Sequence, residues 1–546
     1  MSTTRSFIKQ AALRPRRALA LMMALALLAS LFPGAIAEMA PAADTFEQEA
    51  QQFLAQQASE ELPADLTVGY LASSAGDISP VYCNERDMIS LNQLVFESVV
   101  ELDETQKPVP LLADSWTVQD NVWTFRMRQG VQFHNGMECL AQDVVASYEA
   151  LLGAGSSNPY AARLSLIESM TATDAYTLQV TARYGGMITL YAMTFPVMER
   201  STISDMLPRG TGPYWYISYV PGVSVRLERN PLWWKQQPYI ESVVGLCYYT
   251  TAEALEALQT GAIDALSTRS YSAAFNRRLS TVTATDYPTA SYELLVPNLS
   301  ASSPLSDVRV RRAVMYAIDR ATLVSNAYLE MAQQSEVPIV PGTWLYESQS
   351  AIYYYSPERA LQLLYEAGWT NLTSPAKLSR LGEDGLVEDL DIRIITYTDS
   401  VSSVRTTAAE QIAANLNAIG ITTTVLSGTI DQVREAMGNG RYDLALMGVN
   451  LSEVPNLRPL LGADGAVNLS GASSAELDAL LARTFTAVTE EEMRSAYSDV
   501  QMYVAENLPF LGLVFRTGSV LSTRSLAGLS GTREMDVYNG LEFVAQ

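Results

Sequence analysis

The chain has 546 residues, 48 % of them hydrophobic and 17 % charged. That excludes a disordered or fibrous protein and is too long for a single core. The formal net charge of −23 opposes nucleic acid and anionic lipid as partners, since both would repel the surface.

The N-terminus reads as an export signal. Arg5, Lys9, Arg14, Arg16 and Arg17 form a basic stretch, Ala18 to Phe32 an uncharged apolar run, and Ala35-Ile36-Ala37 a small-residue cleavage site. Cleavage after Ala37 removes five positive charges and no acid, taking −23 to −28. An uncleaved anchor is the alternative, although the run is short against the about 20 residues of a membrane span. No cysteine follows the run, so no lipid-modified N-terminal cysteine is expected. No later run is long and apolar enough to cross a bilayer, and the mature chain is expected to be soluble. Cys83, Cys139 and Cys247 allow at most one disulfide; three separate core thiols is an equal alternative.

Residues 38–62, rich in Ala, Gln and Glu, read as a tether. Leu66 to Tyr70 alternates like a strand. Trp116 to Val118, Val122 to Met127 and Tyr176 to Thr181 are further β-rich stretches around one helix, Asp143 to Leu152, which together predict a separate α+β subdomain. Glu241 to Tyr249 predicts a strand. Thr251 then caps a helix carrying Leu255 and Leu258 that ends at Gly261, and Ile263 to Leu266 is the next strand. Ser306 or Asp307 opens a helix with Val310, Val314, Ala317 and Ile318 on one face. Ser356-Pro357-Glu358 supplies an N-cap, a first-turn proline and an acid for a helix burying Leu361, Leu364 and Ala367 and stopping at Gly368. Strand Leu390 to Thr398, helix Arg405 to Ile419, strand Ile421 to Leu426, helix Ile430 to Met437 and strand Tyr442 to Met447 follow. That alternation predicts an α/β lobe with a largely parallel sheet.

Five phrases stand out in order. They are Leu94 to Asp103 with Pro110 to Trp116; Trp123 to Gly136 with Ala141 to Val145; Gly210 to Tyr214 with Leu227 to Pro231; Asp307 to Ala313 with Ala317 to Arg320; and Ser356 to Trp369. With them the chain, from about residue 66 onward, resembles the extracellular solute-binding proteins, family 5, which serve peptide and nickel ABC importers. The resemblance implies an α/β, two-lobed periplasmic-binding-protein-like fold of type II, with an inserted α+β subdomain. Two chain crossings act as a hinge, and the ligand lies buried between the lobes. It divides the chain into a signal peptide 1–37, a tether 38–62, lobe I at 63–91, 201–296 and 511–546, the inserted subdomain at 92–200, and lobe II at 297–510. The implied partners are a small ligand, most readily a di- or oligopeptide, and the membrane permease subunits, with the protein itself a monomer. No cofactor, metal or catalytic residue is implied.

The family's peptide binders hold the ligand's amino terminus with an acid that follows a Gly-Trp pair. The matching segment here is Gly448 to Pro455: Val449 stands for the Trp, Ser452 for the acid, and Glu453 comes one residue later. Ser452 and Glu453 are therefore candidate contacts. Removing the Glu453 carboxylate is expected to weaken peptides with a free amino terminus and spare N-acetylated ones. A solvated loop acid is the alternative. Tyr82, Cys83 and Asn84 match a cleft-lining loop and Tyr160 a cleft-facing tyrosine; Asn298 lies at the entry to the second lobe and Trp344 in a loop. Each of these has a packing role as its alternative. His134, the only histidine, is expected to be hydrogen-bonded at a strand-turn corner and not to be a base or a metal ligand. With one histidine, nickel capture is the weaker reading. Trp233-Trp234 and Tyr353-Tyr354-Tyr355 keep an oligosaccharide open, with core filling as the alternative. A hydrolase is the rival of another class, but no Gly-x-Ser-x-Gly elbow is present.

Overall fold

The computed structural model describes residues 65–73, 76–374, 377–382, 384–398, 403–526, 529 and 532–544. The expected signal peptide and tether lie outside them. Residues from Ala64 onward form one compact unit. No helix among the described residues is long and apolar enough to cross a membrane.

Two parallel α/β halves share one sheet of eleven strands. In the first half, Asp65–Leu71 lies parallel to both Ser242–Tyr248 and Ala265–Thr268. The outer strands Ser224–Arg229 and Tyr214–Val220 are added antiparallel. The crossover is the helix Thr251–Gln259. It is capped one residue earlier than expected. Thr250 accepts from the Glu253 amide and Glu253 reaches back to the Thr250 amide, both at 3.2 Å. In the second half, Asp391–Tyr397 lies parallel to Thr422–Gly428 and Leu444–Asn450, with the helix Val404–Ala418 as crossover. The predicted parallel alternation is thus present in both halves.

The halves are joined by two long antiparallel strands, Thr283–Pro297 and Leu511–Ser522. Their first stretch, Thr283 to Pro288 against Thr517 to Ser522, belongs to the first half. Beyond a register break between Pro288 and Tyr292 the same pair continues in the second half, where Thr283–Pro297 also takes up Leu444–Asn450. The largest apolar core gathers Leu66, Val68, Leu227 and Val243 of the first half and runs on through Ala445, Met447 and Tyr497 of the second. Another, built from Val310, Val314, Leu364, Ile412 and Leu446, belongs to the second half.

The inserted α+β subdomain is a four-stranded sheet, in the order Ala113–Gln119, Val122–Met127, Thr177–Ala182 and Ile167–Asp174, covered by the helix Ala141–Gly153. Trp123, Phe125, Leu178 and Val144 are buried between them.

Local details refine the reading. The helix Pro357–Glu366 is capped by Ser356 but buries Ala360, Leu363 and Leu364, with Leu361 and Ala367 at the margin. Its face is turned toward the helix Val308–Ala317. Of the phrase glycines Gly130, Gly136 and Gly212, which the sequence suggests for turns needing permissive backbone, Gly130 and Gly136 hold positive φ. Gly212 instead permits close approach: a Cβ there would sit 2.7 Å from the Val95 carbonyl. Finally, Cys83, Cys139 and Cys247 are three separate free thiols.

Candidate functional site

The register break in the long strands opens the site. There Thr289 and Ala290 leave the ladder. The Thr289 hydroxyl donates to the Arg516 carbonyl at 2.7 Å, the Ala290 amide donates to the Glu534 carboxylate at 2.7 Å, and the Ala290 carbonyl accepts from the Leu451 amide at 2.8 Å. The strand Leu444–Asn450 therefore runs out of the sheet alongside this break. Its continuation, Leu451 to Leu457, lines a cavity of ≈ 90 Å³. Two further runs of chain, Pro338 to Val340 and Thr343 to Leu345, also line it, together with Gln106 and Tyr191 of the inserted subdomain.

A second cavity of ≈ 90 Å³ adjoins it, sharing Leu102, Glu453 and Arg533. Its walls carry Tyr160 and Arg163 from the inserted subdomain, Lys235, and Glu542 from the end of the chain. A third, of ≈ 320 Å³, meets the first at Thr289 and lies on Arg269, Arg405, Arg516 and Glu293. Glu293 and Arg405 form a buried two-bond ion pair, both bonds 2.8 Å. The three spaces make one crevice between the lobes. The first two have room for only a few waters each.

Contacts across the crevice hold it closed. The Trp344 amide donates to the Thr105 carbonyl at 3.0 Å, and its indole N–H to the Tyr191 hydroxyl at 2.8 Å. Arg163 forms an ion pair with Glu453. At the rim, the Gly186 and Met187 amides donate to the Phe485 and Ala487 carbonyls at 3.0 and 2.7 Å.

Of the residues singled out in the sequence, Trp344, Ser452 and Glu453 line the first cavity, and Tyr160 and Glu453 the second. Tyr82, Cys83, Asn84 and Asn298 line neither, nor the third. Tyr82 and Asn84 are exposed. Cys83 is buried, and burial pushes its thiol up to about 12. Asn298 spends its amide on the Tyr442 carbonyl at 2.9 Å. The loop holding Tyr82 is tied to the inserted subdomain by Asn158, whose side chain donates to the Val81 carbonyl at 2.8 Å. Sequence reasoning missed Arg163, one helical turn beyond Tyr160, and the convergence of Arg533, Glu534 and Glu542 from the chain end.

Charge in the second cavity is unevenly held. Glu97 is buried and accepts from the Thr211 hydroxyl at 2.7 Å and from both indoles, Trp233 at 3.2 Å and Trp234 at 2.9 Å. The tryptophan pair thus anchors an acid, with Trp233 packed in the core. Burial raises the Glu97 carboxyl, against the pull of those donors. Burial, then repulsion from Asp536 and Glu101, raises Glu542 to about 7. His134 sits at the expected corner, its Nδ1 accepting from the Gly210 amide at 3.3 Å and its ring edge on Trp215. It lines none of the three cavities. Among the described residues no group of three His, Cys, Asp or Glu side chains could hold a metal ion.

A crevice lined from two lobes and bridged by contacts between them defines a clamp for a small ligand. The chain belongs to the bacterial extracellular solute-binding proteins, family 5, whose middle region matches residues 107–463. It is thus the solute-binding component of an ABC importer, a transport protein working outside the cytoplasm and not an enzyme. It is 24 % identical to heme-binding protein A of Haemophilus influenzae, over 78 % of this chain and 82 % of that one. It is 22 % identical to the oligopeptide-binding protein AppA of Bacillus subtilis, over 87 % and 90 %. Among solved structures, a nickel ABC transporter protein from Bacillus halodurans superposes with a TM-score of 0.74 at 22 % identity, covering 87 % of this chain and 98 % of that one.

Proposed function

We propose that the ligand is a di- or oligopeptide, held extended along Leu451 to Leu457 and delivered unchanged to the permease. The carrying observation is the lining itself: seven consecutive residues, Leu451 to Leu457, and two shorter runs, Pro338 to Val340 and Thr343 to Leu345, border one space. Such a surface recognises a chain through its peptide groups and tolerates varied side chains. Trp344, Ser452 and Tyr160 are its contacts in this reading, and the similarity to an oligopeptide-binding relative agrees with it. The nickel and haem named for other relatives would call for nitrogen or sulfur ligands. Here His134 is buried at a corner of the inserted subdomain, away from the crevice. The exported chain, freed of residues 1–37, acts as a monomer.

Isothermal calorimetry tests this with alanine-rich peptides of increasing length, a nickel–histidine chelate, haem and a maltooligosaccharide. Peptides are expected to bind one per chain with Kd near about 1 μM, equivalent to about −8 kcal/mol. Binding of the chelate, haem or sugar with none of the peptides would overturn the assignment.

A further inference from the structure

We infer that Arg163 is a specificity-determining residue: it neutralises Glu453 in place, so the crevice does not distinguish a ligand with a free ammonium group from one without. This rests on the peptide reading above. Arg163 is preorganised by its own subdomain. Its Nη1 donates to the Thr194 hydroxyl at 2.6 Å and the Thr194 carbonyl at 3.2 Å, and its guanidinium lies 5.1 Å over the Tyr160 ring. The Thr194 hydroxyl is itself held by the Tyr191 carbonyl at 2.9 Å. The side chain is 12 % exposed, and its Nη2 meets the Glu453 carboxylate, on the opposite lobe, at the partition between the first two cavities.

The consequence follows from electrostatics. A cation fixed by three contacts does not swing away when a ligand enters. A ligand ammonium placed on Glu453 would therefore stand beside a guanidinium. It would gain one carboxylate and meet one like charge, for no net attraction. An uncharged amino terminus avoids that repulsion and leaves the ion pair intact. The ion pair also ties the lobes together without ligand, so Arg163 serves at once as a closing contact and as a charge mask.

The test compares trialanine to pentaalanine with their N-acetylated forms, by calorimetry on the wild type, Arg163→Met and Glu453→Gln. In place of the loss for free amino termini that the motif position of Glu453 suggested, the wild type and Glu453→Gln are each expected to bind the two forms within about threefold of each other. In Arg163→Met the bared carboxylate is expected to favour the free form by about tenfold or more. A wild-type preference of about tenfold for the free form, abolished by Glu453→Gln, would show that Glu453 grips the ligand directly and overturn the mask. Equal binding of both forms to Arg163→Met would overturn it as well. Should Arg163→Met fail to fold, the wild type and Glu453→Gln decide alone. Failure of every peptide on every protein removes the peptide reading, and the mask with it.

Discussion

Methionine at Arg320 is expected to lower the unfolding free energy by about 3–5 kcal/mol, the cost of leaving its acid partner buried and unpaired. Arg320 ends the phrase Ala317 to Arg320. Asp319 caps the next turn, accepting from the Thr322 amide at 3.0 Å, and so aims Arg320 inward. There its Nη2 meets Glu336 at 2.7 Å and also the Tyr353 carbonyl. Both side chains are only 6 % exposed. In Arg320→Met the Glu336 carboxylate keeps its burial and loses its counter-charge. Urea unfolding measures the loss. The double change Arg320→Met with Glu336→Leu removes both charges and should recover most of it. A single-variant loss under about 1 kcal/mol, the size of an exposed pair, contradicts the buried placement.

The second large effect is a dependence on pH built from two opposed groups. Burial, with Arg209 nearby, lowers His134 from 6.5 to about 4. The unfolded chain then binds the proton more readily, so this stability is complete above pH 6.5 and is lost as pH falls through 4. That is worth about 3 kcal/mol. Glu542 runs the other way, raised from 4.5 to about 7. Its contribution is complete below pH 4.5 and is lost as pH rises through 7, again by about 3 kcal/mol. Between 4.5 and 6.5 these two slopes oppose each other. Glu542→Gln removes one slope. It is expected to match the wild type at pH 4 and to exceed it by up to about 3 kcal/mol at pH 8, with the histidine's acid slope laid bare. Equal stabilities at both pH values would place Glu542 in solvent.

The sequence and the structure agree where the determinants are local. Thr250 and Glu253, Ser356 and Pro357, or the glycines after helices act within a turn or two, and the repeating strand-helix pattern of residues 390–450 needs nothing distant. The crossing strands are different. Thr283–Pro297 finds Leu511–Ser522 across nearly half of the folded chain, and nothing near Pro288 announces the register break. The role of Gly212 is equally hidden, since it depends on Val95 lying against it. The crevice was half legible. Ser452, Glu453, Trp344 and Tyr160 came from motif positions, and the structure brings them to one crevice. Arg163 and Glu534 gain meaning only through partners 290 and 244 residues away in sequence.

Native mass spectrometry of the protein purified from its host, without denaturation, tests the central claim most directly. A clamp for peptides should carry one small molecule per chain, with the mass of a short peptide and no covalent change after release. A metal chelate, a porphyrin, or a cleaved product in that position would contradict it.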